Sequence, residues 1–251
     1  MSAATLLAPV EAGLNVGRRI LLGNALGGLE ARFIAERLGS GATDTVLYVT
    51  RDAQRSSALA ALVHFFAPKA EILTLPAWDC LPYDRVSPNA TVVAERLATL
   101  HRLAQGRSGQ KRLVLVSANA LTQRLPPPDA VRASHLQLRT SARVERDGLL
   151  AHLERNGYRR VGTVVDPGDY AVRGGLIDLF PTGSAQPVRL DFFGSTLESI
   201  RRFDPATQRT TDRLKTVELG PVSEVLLDDA AAERFRAGYL RQFGTVTDDP
   251  L

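Results

Sequence analysis

The sequence predicts an α/β protein in which a parallel-sheet domain is joined to a small antiparallel α+β domain. Three observations carry this prediction. In the first half of the chain, strand-sized apolar runs alternate with helical stretches, which is typical of a parallel sheet covered by helices on both faces. Three consecutive prolines at 126–128 end that pattern, because they cannot continue a helix. Beyond them, short extended segments are joined by turns, as in an antiparallel meander.

In the first part, β-branched and apolar runs predict four strands, and apolar residues at helical spacing predict the helices between them. Asp52 precedes one of these helices and is a favourable N-cap. The predicted strands are 18–22, Thr45–Thr50, Glu71–Leu75 and Arg112–Ser117. The predicted helices are Leu26–Leu38, the stretch from Asp52 to Phe66, and Thr91–Gln105.

In the second part, one helix and several extended segments form the predicted α+β domain. Turn-forming stretches such as Asp166-Pro167-Gly168 separate the segments. The helix is Arg143–Arg155, and the extended segments are His135–Arg139, Arg159–Val165, Leu176–Phe180, Val188–Phe193 and Leu197–Phe203. A strand-like run follows from Val217, and an amphipathic helix capped by Asp228 or Asp229 reaches Phe243.

Composition narrows the possible classes of function. A net charge of +4 permits contact with nucleic acid but is too small to indicate it. The single cysteine, Cys80, excludes an internal disulfide framework and a cysteine-based zinc site. No apolar run approaches the length of a membrane span, and the N-terminus lacks the order of a signal peptide. We therefore expect a cytoplasmic protein that makes no membrane contact.

The turn at residues 23–30 has the outline of a phosphate-binding loop. Gly23 and Gly28 keep the glycine spacing of a Walker A loop, but Leu29 replaces its lysine and Glu30 replaces its serine or threonine. A carboxylate beside a triphosphate repels it, and Leu29 supplies no compensating charge. From these residues alone, the turn is either an ordinary glycine-rich βα turn or a loop that has lost its phosphate chemistry.

Several motifs, in order, resemble the N-terminal region of the bacterial transcription-repair coupling factor (Mfd) family, which is itself built like the excision-repair protein UvrB. The resemblance extends from about Val16 to Phe243. The motifs are Leu75-Pro76-Ala77-Trp78 with Leu81-Pro82-Tyr83-Asp84 and Ser87-Pro88, 118–124, Gly157-Tyr158-Arg159, 168–181, 189–193, Phe203-Asp204 and Gln208-Arg209-Thr210.

The resemblance implies three domains and a role for each. Residues 1–128 would be a UvrB-like domain with a degenerate P-loop, 129–214 an inserted UvrA-interacting α+β domain, and 215–251 the start of a further domain. ATP and magnesium would be bound only by a translocase module downstream. The helix predicted after Pro88 leaves no room for the DNA-gripping hairpin of UvrB, so damage verification by this unit is not expected.

By their positions in the family motifs, four places are expected to bind UvrA: Arg159 or its neighbour Arg160, Arg173, Phe180 and Asp191. Each also has a structural interpretation. Phe180 can be a core residue, Arg173 a solvated turn residue, and Asp191 a partner of Arg189 or Arg173. Arginine and aromatic side chains are frequent hot spots at protein interfaces.

Three hypotheses of function follow. The first is a non-catalytic interaction module that recruits UvrA to RNA polymerase stalled at a lesion, with polymerase and double-stranded DNA bound through the longer protein. The second is a UvrB-like ATP-dependent helicase half. It would need a basic residue near Gly28, and the nearest one downstream is Arg32. The third is a general DNA-binding domain. Nucleotide titration tests the second, and the salt dependence of DNA binding tests the third.

Overall fold

The computed structural model describes residues 13, 19–21, 27–41, 43–81, 84–106, 109–225 and 229–244. Its helices are α1 (Gly27–Gly39), α2 (Ala53–Phe66), α3 (Ala90–Ala104), α4 (Ala118–Leu121), α5 (Pro128–Ala133), α6 (Arg146–Arg155) and α7 (Asp229–Phe243). None of these described helices is both long and apolar enough to span a bilayer.

The strands are β1 (Thr45–Thr50), β2 (Glu71–Leu75), β3 (Arg112–Ser117), β4 (Leu136–Arg139), β5 (Arg159–Arg160), β6 (Asp169–Arg173), β7 (Leu176–Leu179), β8 (Val188–Phe193), β9 (Thr196–Phe203), β10 (Thr210–Leu214) and β11 (Thr216–Leu219). The chain divides into two compact units, residues 1–77 with 107–123 and residues 78–106 with 124–251. The three-domain division predicted above stays a prediction.

The first unit contains a parallel sheet with the strand order β1-β3-β2. Apolar residues of α1 and α2 pack on one face, where Ile34, Leu59, Leu113 and Leu115 are buried. The opposite face is open at β1, since Leu47 is 58% exposed. The prediction of a parallel sheet is therefore confirmed, whereas helical cover on both faces is wrong for this strand.

Near the start of this unit, the described residues test only part of the sequence prediction. Of the strand expected at 18–22, only residues 19–21 are described, and they are not in a strand. Gly23 lies outside the described residues. The helix after the glycine-rich turn is confirmed as α1. Asp52 caps α2 as predicted, because its carboxylate accepts a hydrogen bond of 2.8 Å from the backbone N–H of Arg55.

The second unit is organised around a six-stranded sheet with the strand order β10-β9-β8-β7-β6-β5. All pairs are antiparallel except β5 with β6. One face carries the core, in which α6 packs through Leu149 and Leu153 against Ile177, Leu190 and other buried residues. A two-stranded sheet of β4 and β11 adds Leu138 and Leu219 to the same core.

The predicted strand at Arg159–Val165 is wrong beyond its second residue. Strand β5 ends at Arg160, and the chain then leaves the sheet so that Val161 and Val164 pack with Ala171 on the other face. The turn at Asp166-Pro167-Gly168, with Gly168 at φ 90°, returns the chain into β6. Strand β6 was not among the predicted strands.

A buried ion pair links α3 to another part of the second unit. The side chain of Arg96 on α3 is 0% exposed and that of Glu224 is 7% exposed. The guanidinium donates to both carboxylate oxygens, with 3.3 Å between Nη2 and Oε2, and the indole Nε1 of Trp78 donates to Oε1 at 2.9 Å. The Arg96 guanidinium also lies 5.2 Å from the centre of the Trp78 ring. The motif that ends at Trp78 thus meets α3 and Glu224 within one unit.

Candidate protein-interaction surface

Opposite its core, the six-stranded sheet has a second face that bears most of its paired charged residues and, at one end, the small apolar cluster around Phe180; we call it the open face. Residues directly opposite each other on paired strands share a face. Since Tyr170, Ile177 and Leu190 face the core, their neighbours along the strands face the other way. Two rows of paired residues cross the open face: Ala171, Asp178, Arg189, Arg201 and Arg213, and next to them Arg173, Leu176, Asp191 and Ser199.

The structure separates the two neighbouring arginines that the sequence analysis left as alternatives. Arg159 pairs in register with Asp169 and donates to its carboxylate from Nη2 at 2.8 Å and from Nε at 3.1 Å. Arg160 pairs with Tyr170, whose ring lies in the core face. Arg159 therefore shares the open face with Arg173, whereas Arg160 does not. The Arg159 side chain is 70% exposed although Asp169 is buried, so its guanidinium stays accessible.

Arg173 is exposed and also holds a nearby segment. Its Nη2 donates to the backbone carbonyl of Gly162 at 2.6 Å and lies 3.4 Å from the hydroxyl of Thr163. The amide of Gln208 donates to the carbonyl of Val164 at 3.1 Å. These two side chains fasten residues 161–165 across one end of the open face. Arg173, for which the sequence allowed a solvated turn residue, thus lies at the end of β6 and is hydrogen-bonded to Gly162.

Asp178 and Arg189 form an ion pair in the middle of the open face. They lie directly opposite each other on β7 and β8, and the guanidinium donates to both carboxylate oxygens, at 2.7 and 2.9 Å. The hydrogen bonds to Asp178 raise the pKa of Arg189. Because Arg189 is engaged by Asp178, it is not the partner suggested above for Asp191. Arg173 is turned toward Gly162, so contact with another protein stays a prediction for Asp191.

Phe180 lies in the core rather than at the surface. Its side chain is only 7% exposed and packs with Val164, Ala171 and Phe203. Of the two interpretations that the sequence left open, core and interface, the structure shows the core. Its role as an apolar anchor for UvrA stays a prediction, but the ring presents little surface in this conformation.

The sequence analysis missed three residues of this surface. Asp169 and Asp178 were quoted only as parts of a motif, although their carboxylates position Arg159 and Arg189. Phe193 was assigned to a strand, and its ring is 77% exposed on the open face. The alternation of β8, with Val188, Leu190 and Phe192 buried, could have revealed that Phe193 points away from the core.

A Walker A loop would have a lysine at position 29 and a serine or threonine at position 30. In the first unit these positions hold the apolar Leu29 and the carboxylate of Glu30. Glu30, in the first turn of α1, forms an ion pair with Arg55 of α2. Burial and the neighbouring Glu30 carboxylate raise the pKa of Tyr48. The carboxylate thus joins α1 to α2 and lies beside β1.

The second unit thus contains a sheet with one buried face and one face that bears arginines. Residues 136–224 match the family described as "UvrB interaction domain". This range contains every strand of the six-stranded sheet.

Whole-chain comparison gives the family. The chain is 38% identical over 92% of its length to a transcription-repair-coupling factor of Haemophilus influenzae. The identity is 35% over 96% of the chain for the one of Escherichia coli and 39% over 88% for the one of Myxococcus xanthus. The chain is therefore a relative of the transcription-repair coupling factors, as its motifs predicted, and it spans about a fifth of their length.

Proposed function

We propose that this chain is the UvrA-recruiting module of a transcription-repair coupling factor. The observation that carries the proposal is the pair of accessible guanidinium groups, Arg159 and Arg173, on one face of a UvrB interaction domain. Guanidinium groups can bind carboxylates through two parallel hydrogen bonds, and arginine is enriched among interface hot spots. In both arginines, hydrogen bonds within the chain orient the side chain before a partner arrives.

In this proposal the module brings UvrA to RNA polymerase stalled at a DNA lesion, in the cytoplasm. Contacts with polymerase and double-stranded DNA, and the binding of ATP and magnesium, would belong to other parts of the longer protein. No catalysis is assigned to the present chain. The proposal is supported by the match to transcription-repair-coupling factors from three bacteria, each of which aligns with 88–96% of this chain.

We further infer that the first unit is a degenerate P-loop domain kept as a scaffold. Leu29 supplies no cation for a phosphate, and the Glu30 carboxylate is engaged by Arg55. A calorimetric titration of the chain with ATP and magnesium should give no saturable heat. Saturable binding would contradict this inference and favour the helicase hypothesis.

The affinity of the chain for purified UvrA tests the main proposal. Arg159→Ala and Arg173→Ala should each raise the dissociation constant by at least about tenfold, as expected for hot-spot residues. Arg160→Ala is the matched control, because the same type of side chain lies on the opposite face. It should change the dissociation constant by less than about twofold.

Two outcomes would count against the proposal. If the wild-type chain does not bind UvrA, the function itself is wrong. If Arg160→Ala weakens binding as much as Arg173→Ala, the open face is not the site. Circular dichroism and thermal unfolding of each variant separate loss of contact from loss of fold. This control matters most for Arg173, which also holds the carbonyl of Gly162.

A further inference from the structure

Among the described residues, one aromatic side chain is strongly exposed on the open face, at the end of β8. Phe193 is 77% exposed, whereas Phe180, the aromatic residue that the sequence suggested as an anchor, is 7% exposed. Phe193 shares the open face with Asp191, two residues before it on β8, and Asp191 lies in the same cross-strand row as Arg173. Residues i and i+2 of a strand are about 7 Å apart, so the ring continues the arginine-bearing surface.

The backbone that carries Phe193 is held from several sides. Phe193 is in register with Thr196 across a tight turn, in which Gly194 has φ 61°. Arg143 forms an isolated bridge with Thr196. The preceding residue, Phe192, is buried in the core, and its N–H donates to the carbonyl of Gly175 at 2.9 Å. Little backbone freedom remains to be lost on binding, which lowers the entropic cost of using this ring as a contact.

A guanidinium group is fastened at the hairpin that carries the ring. Arg143 donates from Nε to the hydroxyl of Ser195, two residues after Phe193, at 3.2 Å. Its partner in the isolated bridge, Thr196, is also the residue in register with Phe193, so Arg143 shares the face of Phe193. An apolar ring beside a cationic group matches the usual anatomy of an interface, with an apolar centre and a charged rim.

We propose that Phe193 is the apolar anchor of this interaction surface. Its partner is a protein that offers an apolar pocket for one aromatic ring, with a carboxylate at the rim to meet Arg143. This inference rests on the proposed function, which makes UvrA the protein that supplies the pocket. Residues 161–165 and the buried Phe180 then form the floor of the surface rather than its contact point.

The test is the affinity of the chain for UvrA with Phe193→Ala, and Phe65→Ala is the matched control. Both phenylalanines are 77% exposed, but Phe65 lies at the end of α2 in the first unit. Phe193→Ala should raise the dissociation constant by about tenfold or more, the range of an interface hot spot. Phe65→Ala should change it by less than about twofold. Phe193→Tyr keeps the ring and should retain most of the affinity.

A charge-reversal variant tests the rim. Arg143→Glu should weaken binding by about tenfold or more, because it places a carboxylate against the carboxylate expected on the partner. If Phe193→Ala binds UvrA as well as a wild-type chain that does bind, this inference is wrong and the proposed function stands. If the wild-type chain itself does not bind UvrA, both are wrong.

Discussion

The buried ion pair between Arg96 and Glu224 should make the second unit sensitive to the loss of a single charge. Glu224→Gln keeps an oxygen that can accept from the Trp78 indole and the Arg96 guanidinium, but it removes the compensating negative charge. The Arg96 side chain is 0% exposed, so water cannot solvate its guanidinium in place of the carboxylate. Removing one partner of a buried pair costs about 3–5 kcal/mol. Because the acceptor is kept, we expect the lower end, about 3 kcal/mol of unfolding free energy.

The assay is urea unfolding followed by the fluorescence of Trp78. This is the only tryptophan in the chain, and its indole N–H donates to Glu224, so the signal reports on the unit that is perturbed. Asp129→Asn is the control in the same unit. Its ion pair with Arg132 is exposed, since the Asp129 side chain is 93% exposed, and exposed pairs contribute at most about 1 kcal/mol.

A double variant distinguishes charge from packing. Arg96→Met with Glu224→Gln removes both charges and keeps the acceptor for the Trp78 N–H. It should recover more than half of the stability lost in Glu224→Gln, because an uncharged buried contact carries no uncompensated ion. The reasoning is refuted if the double variant is as unstable as the single one, or if Glu224→Gln costs less than about 1 kcal/mol.

Two further outcomes are expected. Gly175→Ala should destabilise the chain by about 1–3 kcal/mol in urea unfolding, because an added Cβ would lie 2.9 Å from the carbonyl oxygen of Phe192. Gly162 has open space around it, so Gly162→Ala should cost under about 1 kcal/mol. Equal losses of stability in the two variants would contradict this prediction. Burial lowers the pKa of His135 from its ordinary 6.5, so the unfolded chain binds the proton more tightly and the unfolding free energy should fall as pH drops below about 6.5. His135→Gln should make that pH dependence shallower. Some dependence should remain, because burial also lowers the pKa of His152. An unchanged slope would show that His135 does not contribute.

Local patterns predicted strands β1, β2 and β3 of the first unit closely, although the strand expected at 18–22 is not seen at residues 19–21. Runs such as Thr45–Thr50 and Arg112–Ser117 are bounded as predicted, because β-branched and apolar residues flanked by turns have few alternatives. Arg159–Val165 is also rich in β-branched residues, yet only its first two residues join the sheet. Here a tertiary contact outweighs the local preference for a strand, since Val164 lies outside the strand, fully buried beside Phe180.

The candidate site was predictable in its location but not in its details. The family motifs pointed to the domain that matches the UvrB interaction domain family and to Arg173, which is exposed on the open face. They could not choose between Arg159 and Arg160, because the face of a residue depends on the register of its strand, and a shift of one residue exchanges the faces. They also pointed to Phe180 as an aromatic contact, and its burial could not be predicted because Val164 and Phe203, which pack against it, come from outside its own strand.

By itself, the sequence determined the α/β class, the order of most elements, the family and the absence of a Walker A lysine and hydroxyl at Leu29 and Glu30. These properties depend on residue type and spacing along the chain, which the sequence contains directly. The tertiary structure decided which side chains meet: Asp178 rather than Asp191 with Arg189, Glu30 with Arg55, and Arg96 with Glu224. Each of these pairs joins residues from different elements, and strand register and packing bring them within hydrogen-bonding distance.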